Sequence, residues 1–275
     1  MTSHDVVNIV RRILNTKKVG HAGTLDPFAT GVLPIAVGRA TKFIEYLADF
    51  DKSYRAEILF GIETTTGDIT GEIIREDNSK LILEVDEVLK SFTGKINQTP
   101  PKYSAIKING RKAYELARKN IDFTIPTREV TIYNINKVAA TKNTLTVDVD
   151  CSKGTYIRSL AVDIGKSFEI PATLKNLQRR RVGNFDISDS ITIEELKNIQ
   201  DLEEIPIIDI ENCVKHLPKI NLPEWRLKAF YTGLTTRLNE NFDEGTMFRV
   251  YCLNDFIGTG KIVDGELKAD KILTP

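Results

Sequence analysis

The chain carries only three cysteines, three histidines, two methionines and one tryptophan in 275 residues. Cys151, Cys213 and Cys252 are isolated and odd in number, which argues against a disulfide framework and against a Cys-x-x-Cys metal site. His4, His21 and His216 are equally scattered, so no histidine-based metal set is spelled out. No stretch approaches the ~20 consecutive apolar residues of a membrane span, and the N-terminus lacks a signal-peptide pattern. Neither sign of charge is in excess, with 38 Lys+Arg against 38 Asp+Glu. These absences read as a cytoplasmic, metal-free protein without a membrane partner. What remains is ordinary for a globular chain, 41% hydrophobic and 28% charged, long enough for one large domain and a small second one.

A net charge of zero sits awkwardly with a nucleic-acid partner, because phosphate binding leaves a basic footprint. The distribution is less even. Residues 201–275 hold 9 Lys+Arg against 13 Asp+Glu, which leaves the first 200 residues basic by 4. Residues 95–128 carry Lys95, Lys102, Lys107, Arg111, Lys112, Arg118, Lys119 and Arg128 against only Glu115 and Asp122, with Tyr103 and Tyr114 between them. A charge run of this kind is either a solvated helix face or an element that grips RNA.

The segment Gly20–Pro34 is the most unusual. It sets one carboxylate, Asp26, among glycines, prolines and small residues too irregular for a helix and too patterned for a linker. Gly20, Gly23 and Gly31 permit backbone angles closed to other residues, and Pro27 fixes the turn after the acid. An isolated Asp-Pro more often just closes a turn. A loop this constrained can instead hold an acidic side chain in the one orientation a nucleophile or general base needs.

The run His21-Ala22-Gly23-Thr24-Leu25-Asp26-Pro27-Phe28-Ala29-Thr30-Gly31-Val32-Leu33-Pro34 resembles the catalytic motif of the TruB family, the bacterial tRNA pseudouridine-55 synthases. Four further blocks agree in order: Asp51–Arg55, Pro100–Lys107, Cys151–Leu160 and Leu177–Gly183. The resemblance is strong to about Gly183 and loose beyond. It implies an α+β pseudouridine-synthase fold, a large mixed and mostly antiparallel sheet flanked by helices, with a small C-terminal β-rich PUA-like domain. On that basis residues 1–208 form the catalytic domain, with an RNA-gripping insertion at about 70–128, and residues 209–275 a small RNA-binding domain.

Local patterns fit an α+β chain. Ser3-His4-Asp5 and the apolar spacing beyond it predict a capped helix ending near Thr16. Strands are expected at 33–37, 54–60, 72–75, 129–138 and 144–151, with helices at 40–47, 85–92, 112–118 and 159–166. Residues 156–158 read as a strand end, and 174–178 as the start of a return to the sheet. Pro206, Pro218 and Pro223 mark the boundary region, after which 247–253 and 257–263 alternate as strands.

The resemblance also implies roles. Asp26 attacks the sugar or the uracil covalently, or removes the C2′ proton on a glycal path. Arg158 is its ion-pair partner, and a guanidinium suits that role because it stays charged when desolvated. Tyr54 stacks on the flipped base or assists the proton transfer at C5 as a base, with stacking the plainer chemistry for a phenol; Tyr156 presents a second ring face, Leu177 contacts the base, and His21 occupies the space it leaves. Each has a plainer reading: a surface arginine, core tyrosines, a core leucine, a solvated loop histidine. Lys107, Arg111, Lys112, Arg179, Arg180 and Arg181 are expected on the RNA backbone. No cofactor is implied, the partner is the tRNA T-arm, and the protein is read as a monomer.

Two departures stand out. The family usually has a Lys-Pro-containing strand before the segment Thr2-Ser3-His4-Asp5, and this chain begins directly after it. Gln178 stands where the family more often has the first of two arginines. The competing functional readings are a catalytically silent tRNA-binding protein on the same scaffold and an unrelated Asp-nucleophile hydrolase. The hydrolase lacks a phosphate-cradling glycine motif or an acidic metal motif.

Overall fold

A computed structural model gives the fold of residues 1–77 and 84–273. In chain order, α1 (Ser3–Ile13) leads to the short strands β1 (Val19–His21), β2 (Thr30–Gly31) and β3 (Ile35–Val37), then α2 (Ile44–Ala48). Next come β4 (Lys52–Phe60), β5 (Ile62–Thr64), β6 (Ile73–Glu76), α3 (Val85–Ser91) and β7 (Gly94–Gln98). The hairpin strands β8 (Lys107–Ile108) and β9 (Arg111–Lys112) precede α4 (Ala113–Arg118). They are followed by β10 (Arg128–Ala140), β11 (Thr144–Cys151), α5 (Ile157–Ser167), β12 (Ala172–Val182), β13 (Phe185–Asp186) and α6 (Ile193–Asn198). The chain closes with β14 (Lys219–Leu222), α7 (Leu227–Tyr231), β15 (Met247–Cys252), β16 (Asp255–Val263) and β17 (Glu266–Ile272).

The described residues cluster into two compact units. The first takes Met1–Ser3, Thr24–Leu33 and Asp49–Ser190. Its seven-stranded sheet runs β13-β12-β4-β11-β10-β7, antiparallel throughout except that β2 joins β12 in parallel. β4 shows why: Tyr54, Ala56, Ile58 and Phe60 are buried while Ser53, Arg55 and Glu57 alternate outward. The buried set packs with Val147 and Val149 of β11, Leu174 and Leu177 of β12, and Leu160, Ala161 and Ile164 of α5. Each valine, leucine or isoleucine among them contributes roughly 1.5–3 kcal/mol by leaving water. The insertion expected at 70–128 lies in this unit, and β7 within it is the sheet's edge strand. Residues 78–83 of that insertion lie outside the described residues.

The second unit combines His4–Gly23, Pro34–Ala48 and Ile191–Pro275. It therefore differs from a single cut at 208/209. The cause is apolar packing: Val7 and Val10 of α1 and Val19 of β1 are buried with Leu196 of α6. A four-stranded sheet, β14-β15-β16-β17, holds the β-rich C-terminal part. Tyr46 of α2 hydrogen-bonds Thr259 Oγ1 at 2.7 Å and donates to Asp270 Oδ2 at 2.5 Å, fastening residues 34–48 to that sheet.

Several elements depart from their sequence signals. α1 stops at Ile13, and Asn15 beyond it takes a left-handed φ of 45°. Ser3, read as a cap, spends its hydroxyl on the Leu25 amide at 3.0 Å. Residues 156–158 do not end a strand; α5 begins at Ile157. The β8–β9 hairpin was not expected, and β12 extends well past 174–178. Among the described residues no helix is long and apolar enough to cross a membrane.

Candidate active site

Asp26 opens a turn whose Ala29 amide donates back to the Asp26 carbonyl at 2.9 Å, with Pro27 in the second position where its fixed φ is favoured. The loop is fastened on both sides. Leu25 is held by Ser3 as described, and the Val32 amide donates to the Arg179 carbonyl at 2.8 Å. Gly31 at φ +101° lies so close to β12 that a Cβ there would sit 2.1 Å from the Arg179 oxygen.

Arg158, in the first turn of α5, faces Asp26. Its Nη2 donates to Asp26 Oδ1 at 3.1 Å, and its Nε stands 3.0 Å from Oδ2 as an ion pair that is not aligned as a hydrogen bond. The arginine side chain is only 6% exposed and the aspartate 32%. That difference matters: the cation is sealed in, and the acid is open to a ligand. Arg158 is further fixed by donation to the Thr66 carbonyl (3.1 Å) and the Tyr103 carbonyl (2.9 Å). The Pro100–Lys107 block thus contributes a backbone acceptor to the site.

A second acid belongs to the cluster and was missed from sequence. Asp68 Oδ2 lies 3.5 Å from Arg158 Nη1, and its side chain is 6% exposed. Its other oxygen accepts from the Thr70 amide and the Thr66 hydroxyl, each at 2.9 Å. One buried guanidinium therefore serves two carboxylates, one locked and one accessible. Burial raises the pKa of Asp26 above its ordinary 3.8; the neighbouring Arg158 pulls it back down and Asp68 pushes it up, with the net shift upward.

Tyr54 stands across the sheet from Arg179 in register, buried in the face that packs on α5. Desolvation lifts its phenol to about 12, although the positive charge of the neighbouring Arg179 acts to lower the value. Tyr54 keeps its proton at neutral pH, which favours the stacking role over that of a base. Tyr156 immediately precedes α5, with its backbone clamped by buried Gln98 through 2.7 Å and 3.0 Å hydrogen bonds. The Arg128 guanidinium lies 4.8 Å from its ring centroid. Leu177 is buried in the same core, with Phe28 and Ala29 of the Asp26 loop packed against that cluster. His21 lies in β1 of the second unit, paired with Ile35.

The six cations expected on the RNA backbone divide three ways. Lys107, Arg111 and Lys112 are exposed together on the β8–β9 hairpin, which Asn109 and Gly110 turn with φ of 48° and 82°. Arg180 and Arg181 turn to the opposite sheet face and pair with Asp148 (3.4 Å) and Asp150 (3.3 Å). Arg179, expected to be exposed, is 2% exposed and faces inward, because its register places it on the buried face with Leu177 and Tyr54.

This geometry coincides with a known group. The sequence profile of the TruB family pseudouridylate synthase N-terminal domain matches residues 11–157, which span Asp26 and Tyr54. The chain belongs to the TruB family. It is 48% identical to tRNA pseudouridine synthase B of Bacillus pumilus (strain SAFR-032), over 88% of this chain and 82% of that one. It is 43% identical to tRNA pseudouridine synthase B of Clostridium perfringens (strain ATCC 13124), over 99% and 95%. Among solved structures, a Cbf5-Nop10-Gar1 complex aligns with a TM-score of 0.75 at 26% identity, covering all of this chain and 82% of that one. The archaeal box H/ACA Nop10-Cbf5 complex aligns at 0.73 and 25%, covering all of this chain and 83% of that one. The TruB-type fold read from the sequence is therefore the fold observed, including its mostly antiparallel sheet.

Proposed function

We propose that this TruB-family chain isomerises uridine to pseudouridine in the tRNA T-loop, at the position numbered 55, acting as a monomer in the cytoplasm. The observation that carries the reading is the Asp26–Arg158 pair, in which a nearly sealed guanidinium holds a carboxylate that remains one-third exposed.

The reaction breaks N1–C1′, turns the uracil, joins C5 to C1′ and releases the C5 proton. The base must leave its stack before any side chain reaches these atoms. Asp26 supplies the ionised oxygen, and attack at carbon or removal of the C2′ proton both require it in that state. Arg158 holds the ionised form against a burial that disfavours it. Tyr54, protonated at neutral pH, offers a ring face and an O–H to the everted uracil. Tyr156 and Leu177 line the base, and His21 fills its vacated place in the RNA. The hairpin cations Lys107, Arg111 and Lys112 take phosphates, whereas Arg180 and Arg181 already face Asp148 and Asp150.

An unmodified tRNA transcript tests the reading. A carbodiimide-dependent reverse-transcription stop should appear at one T-loop uridine, that at position 55, after incubation with the wild type, and not with Asp26→Asn. Tight binding without any stop would favour the silent RNA-binding protein instead.

A further inference from the structure

Arg179 is a buried cation that the reaction scheme above does not use. Its side chain reaches back under the Asp26 loop, where Nε donates to the Val32 carbonyl at 2.8 Å and Nη1 to the Thr24 carbonyl at 3.4 Å. Those two acceptors flank Asp26, two residues before it and six after. Tyr54 is its cross-strand neighbour on the same buried face, and the charge of the guanidinium acts on its phenol. The Arg179 backbone adds a third fastening, since its carbonyl accepts the Val32 amide at 2.8 Å and its register pairs it with Gly31.

We infer that Arg179 is a positioning residue for the isomerisation, a single planar cation that fixes the Asp26 loop and the Tyr54 ring relative to one another and makes no phosphate contact. This deepens, and rests on, the pseudouridine synthase reading. A guanidinium suits the task because its rigid fork donates to two carbonyls of the Asp26 loop while its planar cation lies beside Tyr54. A lysine ammonium at the end of a flexible stem holds fewer of them in fixed geometry. The flipped uracil must meet the Asp26 carboxylate and the Tyr54 ring simultaneously. A displacement of either by about 1 Å is enough to cost on the order of 100-fold in rate. The burial of Arg179 at 2% exposure is what separates this role from phosphate binding.

The test compares wild type, Arg179→Met and Arg179→Lys on unmodified tRNA. Arg179→Met should lose about 100-fold in kcat, with KM for tRNA within about twofold and an unchanged salt dependence of binding. Arg179→Lys should recover part of that loss, at about 10-fold below wild type. Amide hydrogen exchange across residues 24–32 should quicken at least about 10-fold in Arg179→Met, whether or not the protein acts on tRNA. Should wild type prove inactive, faster exchange in this loop still upholds the positioning role, and unchanged exchange overturns it. A raised KM with a shallower salt slope and intact kcat would place Arg179 on a phosphate and end the inference. If Arg179→Met fails to fold, nuclear magnetic resonance of wild type decides. The Arg179 Nε proton should exchange slowly and show contacts to the Tyr54 ring, and their absence would contradict the inference.

Discussion

Asp26 must carry a charge where burial disfavours one, and its neighbours pull in opposite directions. Loss of the Arg158 cation removes the main influence lowering the Asp26 pKa, and loss of Asp68 removes one that raises it. The acid limb of the kcat/KM profile should therefore lie above 3.8, the ordinary value for this side chain. Below that limb Asp26 is protonated and turnover falls. Arg158→Gln should shift the limb to higher pH and Asp68→Asn to lower pH; shifts of the same sign would refute this electrostatic picture. Arg158→Gln should also cost about 2–3 kcal/mol in urea unfolding, less than a fully sealed pair because Asp26 is one-third exposed. At this scale the sequence exposed Asp26, Tyr54 and Arg158 through their motifs but not Asp68. A lone aspartate in a Thr-Gly-rich turn looks like a turn former, and Asp68 does serve as one through the Thr70 amide.

The Asp26 loop owes its shape to close contact with β12, and Gly31 is the point of closest approach. Gly31→Ala puts a methyl 2.1 Å from a backbone oxygen at a φ that alanine avoids. Neither strand can yield cheaply, so the substitution should cost about 2–4 kcal/mol and lower Tm by roughly 5–10 °C. A melting point within a degree of wild type would show that the loop does not hold this geometry. The β8–β9 hairpin allows a separate prediction. Replacing Lys107, Arg111 and Lys112 together by alanine should weaken tRNA binding and reduce the salt slope by about 2–3, while unfolding is barely affected. An unaltered slope would remove the hairpin from the RNA interface. The long strands were legible because apolar residues alternate along β4 and β11, and 144–151 was read to the residue. The hairpin had an Asn-Gly signal, but strands of two residues carry too little pattern to be seen beside a run of cations. The three consecutive arginines read alike in sequence. A register shift between Arg179 and Arg181 sends one inward and the others out, and register is not a property of local sequence.

On the scale of the whole chain, the second unit is assembled from three separated segments, so its integrity depends on contacts distant in sequence. This is why composition suggested a boundary near the prolines at 206–223 whereas packing draws His4–Gly23 and Pro34–Ala48 into the same body. Tyr46 is one such contact, with its hydroxyl shared between Thr259 and Asp270. Tyr46→Phe should lower stability by about 1–2 kcal/mol, a Tm change of roughly 2–5 °C. An unchanged Tm would mean that this fastening contributes nothing. The one activity proposed for the whole molecule depends on C5 of uracil exchanging its proton for a bond to the sugar. Release of tritium from tRNA labelled at uracil C5 measures that event directly. Wild type should release one tritium per tRNA, and Asp26→Asn should fall by at least about 10³-fold while still binding the tRNA. Equal release by the two proteins, or none from wild type, would contradict an active site built on Asp26 and Arg158.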